Sequence, residues 1–372
     1  MTRIAIIGCG KIADQHVQSI QRIPDCEIVA VCDREVLMAK QLAERFGITN
    51  YFSDVAEMLK HSSPEIVHVT TPPQGHFALA KQCLEAGSHV YLEKPFTVTA
   101  EEAIDLIGIA NNAGRLITAG HNYQFTPEMC EMRNSVATGF LGGKAVHVES
   151  HFSYDLGDAS YVAPLLGSST HWVRRLPGQL LHNNVSHGIA KMAEFLDDEI
   201  VEIVARAEES PRMLEFGGKG VFDELRVTIR DAAGTTAYFC FSTRLRPSLN
   251  ELRIFGPANS ILVDQGCGSL IRIRNRSYKS YLTYFIPPLQ SAREHFRNAR
   301  HNVSGFLRRK LYQDFGMTEL IRRFYKSVRE AQPPPIPYRE IVLTAKIMDQ
   351  VFAQIYPKAP ISTSNRDTTS IP

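Results

Sequence analysis

The chain has 372 residues, 44% of them hydrophobic and 22% charged, with a formal net charge of +2. That length and balance exclude a disordered chain and allow two domains with sizeable cores, and no apolar run approaches the ~18 residues of a membrane span. The start, MTRIAIIGCG, enters a strand without a basic region followed by an apolar one, and the seven cysteines show no C-x-x-C spacing, so a cytoplasmic protein with reduced thiols and no metal is expected.

Taken in chain order, RIAIIG, EIVAVCD, EIVHVTTP, HVYLEKP and LITAGHN are short β-branched runs. Helical patterns over Lys11–Ile23, Glu35–Phe46, His76–Ala86 and Ala100–Asn112 separate them. Apolar strands alternating with three-turn helices make βαβ units, which predicts an α/β class with a doubly wound parallel sheet over residues 1–124. The first strand runs into Gly8-Cys9-Gly10-Lys11-Ile12-Ala13, a G-x-G-x-x-A turn. Gly8 permits the tight turn, Gly10 lets the amides ahead of Lys11 and Ile12 approach a pyrophosphate, and Ala13 lets the helix pack close. Asp33 ends the second strand, where a carboxylate accepts from both ribose hydroxyls of NAD. Arg34 offers a partner for the 2′-phosphate of NADP, but Asp33 repels that phosphate, so NAD is expected rather than NADP.

In AGSHVYLEKPF, Lys94 stands between Glu93 and Pro95 at the carboxyl end of a strand, where open parallel sheets bind ligands. Pro95 holds Lys94 extended and stops the strand, presenting the ammonium at its tip. Glu93 is the expected partner that keeps Lys94 charged or oriented.

With the G-x-G-x-x-A turn, Thr71-Pro72 followed by His76, and Glu93-Lys94-Pro95 in this order, the chain resembles the Gfo/Idh/MocA oxidoreductase family. TAGHNYQFTPEM resembles the family's segment between its two domains, and PPPIPYREIVLTAKIMDQVFAQI its last helix. The resemblance implies NAD(P) on the N-terminal domain, with Thr71, Pro72, His76, Glu93, Lys94 and Asn122 around it. It also implies a role for Lys94 toward both substrate and nicotinamide, often through a cis Lys-Pro bond. Residues 125–358 are then a C-terminal α/β domain with an open, mostly antiparallel sheet often used for homo-oligomerisation. The last helix, about 338–356, is expected to pack back on the first domain, and the polar tail 359–372 to be disordered.

The second half fits that expectation. KAVHVESHFSYD, EIVEIVARAEE, DELRVTIRD, TTAYFCFSTR, NELRIFGP and SILVDQGCGSLIRIRN read as alternating strands with turn signals. Between the first two lies GQLLHNNVSH, which opens a helix over Leu180–Leu196 and places Asn183 and His187 on one face. Family members usually carry an aspartate, three residues, then a histidine; His187 matches the histidine and Asn183 stands where the aspartate would be. His187 is thus the expected acid/base partner of Lys94 at the substrate hydroxyl. Either His182 supplies a second imidazole or the substrate brings its own carboxylate; His182 as a surface residue stays open too. Tyr123, Trp172 and Arg174 are further candidates for substrate contact.

Residues 271–330 hold 14 Lys/Arg against four Asp/Glu. Within them, 289–311 has helical apolar spacing among Arg293, Arg297, Arg300, Arg308, Arg309 and Lys310. A helix covering its own sheet, an oligomer contact, and docking on anionic lipid or on a lipid-linked or nucleotide-linked sugar are all open; nucleic acid is not needed. The expected function is an NAD(H)-dependent oxidoreductase acting on a secondary hydroxyl or ketone of a sugar or sugar derivative. A redox-neutral epimerase or eliminating glycosidase, and a non-catalytic dinucleotide sensor, are the alternatives.

Overall fold

The computed structural model describes residues 1–156, 168, 170–215, 217–308 and 314–356. Two sheets carry the fold. The first is built from β1 (Thr2–Ile7), β2 (Cys26–Cys32), β3 (Tyr51–Phe52), β4 (Ile66–Val69), β5 (His89–Leu92) and β6 (Ile117–Ala119), in spatial order β3-β2-β1-β4-β5-β6. Every pairing in it is parallel. Helices α1 (Lys11–Gln21), α2 (Val36–Phe46), α3 (Val55–Ser62), α4 (His76–Glu85) and α5 (Ala100–Asn112) cover it. Fully buried Ile4, Ile6, Val67 and Val90 show why these strands read as continuous apolar runs: both faces are packed. The strand order reverses between β1 and β4, which opens a crevice at the carboxyl ends, where Gly8, Thr71 and Lys94 all lie.

After α6 (Pro127–Ala137), the second sheet comprises β7 (His147–Ser153), β8 (Ile200–Glu208), β9 (Glu224–Asp231), β10 (Thr236–Ser242), β11 (Asn250–Phe255), β12 (Asn259–Asp264) and β13 (Ser269–Arg274). Its order is β13-β12-β11-β7-β10-β9-β8, antiparallel except where β10 runs parallel to β7. Strand β7 alternates buried and half-exposed residues, the mark of a sheet covered on one face. That cover includes α7 (Gln179–Ala193), where a Cβ on Gly188 would collide with the ring of Phe239; only glycine lets the helix lie this close to β10.

The remaining helices are α8 (Pro211–Glu215), α9 (Leu282–Leu307), α10 (Phe315–Arg329) and α11 (Tyr338–Ile355). Helix α10 falls within the stretch 125–358 but buries Leu320, Ile321, Phe324 and Tyr325 in the core of the first sheet. Helix α11 reaches both cores: Ile341 belongs to the first, and Leu343, Ile347, Val351 and Phe352 to the second. It is tied to the first layer where Asp349 accepts from the Ala100 amide at 2.8 Å. The tail 359–372 lies outside the described residues. All seven cysteines are free thiols. Among the described residues no helix is long and apolar enough to cross a membrane, and no cluster of His, Cys, Asp and Glu could hold a metal.

Candidate active site

The turn after β1 has the shape a dinucleotide needs. Gly8 sits at φ +95°, and a Cβ there would lie 2.9 Å from Thr70 and Thr71. At Gly10, by contrast, a Cβ would meet nothing within 4 Å, so the space in front of α1 is open. No side chain caps that helix, whose first amides and positive dipole end therefore face the crevice. Asp33 is drawn to the same loop: its Oδ2 accepts from the Cys9 amide at 2.7 Å and its Oδ1 from the Glu35 amide at 3.0 Å. Arg34 is turned outward, its side chain 77% exposed and 3.8 Å from Glu35. Two buried oxygens near the crevice, Thr71 Oγ1 and Asn122 Oδ1, have no partner among the described residues. An open cradle, an uncapped helix end and orphaned acceptors fit NAD, and Asp33 with an outward Arg34 disfavours the extra phosphate of NADP.

His76 opens α4. It is fully buried, with Nδ1 3.0 Å from the Pro95 carbonyl and Nε2 2.8 Å from that of Thr71. It lies between the loop carrying Thr71 and Pro72 and the loop after Lys94.

The Lys94-Pro95 bond is cis. Lys94 Nζ donates to the backbone carbonyl of Asn183 at 3.2 Å, joining the tip of β5 to α7. Glu93 orients Lys94 through the main chain and not through a bond to the ammonium: its Oε2 accepts from the Lys94 amide at 3.1 Å, and its Oε1 meets His16 Nε2 at 3.0 Å. Behind it runs a buried chain, His16 Nδ1 to His68 Nδ1 at 2.8 Å and His68 Nε2 to the Tyr325 hydroxyl at 2.7 Å. Hydrogen bonding and charge from His16, with the nearby Lys94, outweigh burial and hold the Glu93 carboxyl below its ordinary value. Burial lowers Lys94, and Glu93 opposes that shift.

On α7, Asn183, His187 and Lys191 follow at four-residue intervals and share a face. His187 packs edge-on against Tyr123, ring centres 4.6 Å apart, and lies 6.3 Å from His121. Burial holds its pKa well below the ordinary histidine value, and Lys94, His121 and Lys191 push the same way. The imidazole is therefore neutral near pH 7, and its Nδ1 has no partner among the described residues. Lys191 is fully buried and donates to Asn250 Oδ1 at 2.7 Å and Gln265 Oε1 at 2.9 Å; burial pushes it down to about 7.

The structure thus groups Lys94, Asn183, His187 and Tyr123, with His121 and Lys191 as members the sequence reading lacks. Extending the Asn183–His187 spacing by one more turn reaches Lys191; His121, one residue before Asn122, carries no such signal. His182 is not part of the group. It is 1% exposed, stacked on Phe352 of α11 at 4.9 Å, and lines a cavity of about 10 Å³, room for one water. That rules out the surface residue. Trp172 packs partly buried beside Val173, Leu180 and Met213, and its carbonyl accepts from Gln74 at 2.8 Å. Arg174 donates to the Lys219 carbonyl at 3.4 Å, toward the β8–β9 connection and not toward Lys94.

A parallel sheet with its cradle is joined to a second, mostly antiparallel sheet whose helix brings a histidine toward a strand-end lysine, a two-domain architecture with a dinucleotide-binding first domain. Residues 2–121 match the family model described as the oxidoreductase family with NAD-binding Rossmann fold, GFO_IDH_MocA. That match covers the nucleotide-binding part of the chain, which is similar to the Gfo/Idh/MocA oxidoreductases there. D-glucoside 3-dehydrogenase of Escherichia coli (strain K12) is 35% identical over 141 residues, 38% of this chain and 40% of that protein. The match therefore spans well under half of that relative. Over nearly the whole chain the fold resembles UDP-N-acetylglucosamine 3-dehydrogenase from Acidithiobacillus ferrooxidans, with TM-score 0.71, 19% identity, and 95% of this chain and 97% of that one covered. It also resembles the WlbA dehydrogenase from Bordetella pertussis, solved with NADH and UDP-GlcNAcA, with TM-score 0.72, 15% identity and 95% of each chain covered. At these identities the likeness is one of fold.

Proposed function

We propose that the protein is an NAD(H)-dependent oxidoreductase acting on a secondary hydroxyl, or the matching ketone, of a sugar derivative. The observation that carries the reading is the convergence of Lys94, at the tip of β5 beside the dinucleotide cradle, with a neutral His187 on α7. When bound, NAD supplies the hydride acceptor at nicotinamide C4. A neutral imidazole takes up the hydroxyl proton as the carbinol is oxidised, and the Lys94 ammonium donates to the oxygen as negative charge develops on it. Tyr123 fixes the His187 ring, and the Glu93–His16 bond fixes the backbone that presents Lys94.

The charged side chains shifting His187 are Lys94 and Lys191, and no carboxylate is among them. With Asn183 in place of an acid, this favours a substrate that carries its own negative charge, a sugar acid or a nucleotide-linked sugar, because a cationic pocket lowers the cost of burying an anion. Under this reading the free thiols suit the cytoplasm.

NADH formation across UDP-sugars, UDP-sugar acids and inositols tests the proposal. Lys94→Met and His187→Gln should each lower turnover by about 100-fold or more while NAD affinity is kept. Wild-type turnover in both variants overturns the assignment. Tightly retained NAD with substrate consumed and no net NADH would move the reading to redox-neutral chemistry.

A further inference from the structure

Helix α9 is amphipathic in the reverse sense. Gln290, Glu294, Asn298 and Asn302, four residues apart, form a polar face turned inward. Asn298 Nδ2 donates to the Leu270 carbonyl at 2.9 Å and Asn302 Nδ2 to that of Cys267 at 3.0 Å, so the helix is fastened to β13 and its turn by amides. Glu294 lies 2.7 Å from Arg297 and Gln290 donates to the Tyr278 hydroxyl at 3.0 Å. The outer face carries Phe285, Leu289, Phe296, Val303, Phe306 and Leu307, each more than half exposed. At about 100° per residue these six fall within an arc of roughly 100°. Arg293 and Arg300 border the stripe, and Arg308 follows at the helix end, all exposed. The only acidic residue of α9 is Glu294, on the inner side.

An apolar stripe bordered by guanidinium groups with no exposed carboxylate fits an anionic surface. Two copies meeting on this face would bring the arginines together with no acid on the helix to answer them; phospholipid headgroups answer the arginines, and the acyl boundary takes up the stripe. We propose that α9 lies flat on an anionic phospholipid surface and docks the protein there as a peripheral membrane protein.

Co-sedimentation of the full chain with vesicles of phosphatidylglycerol and phosphatidylcholine (1:1), or phosphatidylcholine alone, tests this. Binding to the anionic vesicles should be at least tenfold tighter and should weaken on raising NaCl from 0.1 to 0.5 M. Phe296→Asp with Val303→Asp, and separately Arg293→Glu with Arg300→Glu, should each weaken it about tenfold or more while NAD binding is retained. No sedimentation with anionic vesicles, or equal binding by wild type and both variants, overturns the proposal. A drop in solution mass by light scattering in the Phe296/Val303 variant would assign the face to a second copy of the chain and equally overturn it.

Discussion

Replacing Lys191 by Met should remove a specific dependence of stability on pH. The Lys191 ammonium has no exposed surface and is held by two neutral amide oxygens, at 2.7 and 2.9 Å. Burial brings its pKa to about 7 from 10.5, with Glu128 opposing the shift. Between those values the unfolded chain keeps the proton that the folded chain has released, so the unfolded state binds more protons and stability rises with pH. At about 1.4 kcal/mol per pH unit for one proton, Lys191 alone contributes a rise of about 2.5 kcal/mol between pH 7.5 and 9.5. Below pH 7 both states hold the proton and the slope vanishes. Lys191→Met leaves every other titrating group in place, so urea unfolding of both proteins at pH 7.5, 8.5 and 9.5 isolates the term. The difference in unfolding free energy should move by about 2.5 kcal/mol in favour of wild type. A difference that stays constant with pH would refute the assignment of a buried, half-titrated lysine at this position.

Asn183→Asp places a carboxylate one helical turn from His187, which stabilises the imidazolium; the acidic limb of the kcat/KM profile should move to higher pH, and KM for an anionic substrate should rise. An unchanged profile would remove position 183 from the site. Asp33→Ala should weaken NAD binding by about 10- to 100-fold, the range for charged hydrogen bonds, and narrow its advantage over NADP in fluorescence titrations. Equal loss for both dinucleotides would mean that Asp33 serves only to hold the Cys9 amide.

Local pattern carries the first sheet because each of its strands is followed by the helix that covers it, so period and order suffice. Helix α10 defeats that logic. Its apolar period is plain, but Phe324 and Tyr325 enter a core built from residues some 200 to 300 positions earlier, and nothing local says which core a helix will join. The same gap hides the His16–His68–Tyr325 chain, three residues spread across the sequence. Helix α9 shows a second kind of failure: its period is legible, but the usual rule that the apolar side faces inward is reversed, and only the bonds of Asn298 and Asn302 to β13 and its turn reveal it. For His182 and His187, five residues apart, helical geometry separates the two rings, but the ring of Phe352 that takes up His182 comes from the far end of the chain.

The resting partner of Lys94 bears on how readily it can act. An ammonium locked to a carboxylate must surrender a strong ionic bond before it can serve a substrate oxygen. Here the carboxylate beside it among the described residues, Glu93, is already engaged by His16 and by the Lys94 amide. The ammonium waits instead on the neutral carbonyl of Asn183. Under the proposed function, transfer from that carbonyl to a substrate hydroxyl would exchange one neutral acceptor for another and call for little reorganisation. The carbonyl that Lys94 would release under that proposal lies on the helix that carries His187, so a substrate taking up the ammonium would also free a bond between the two layers.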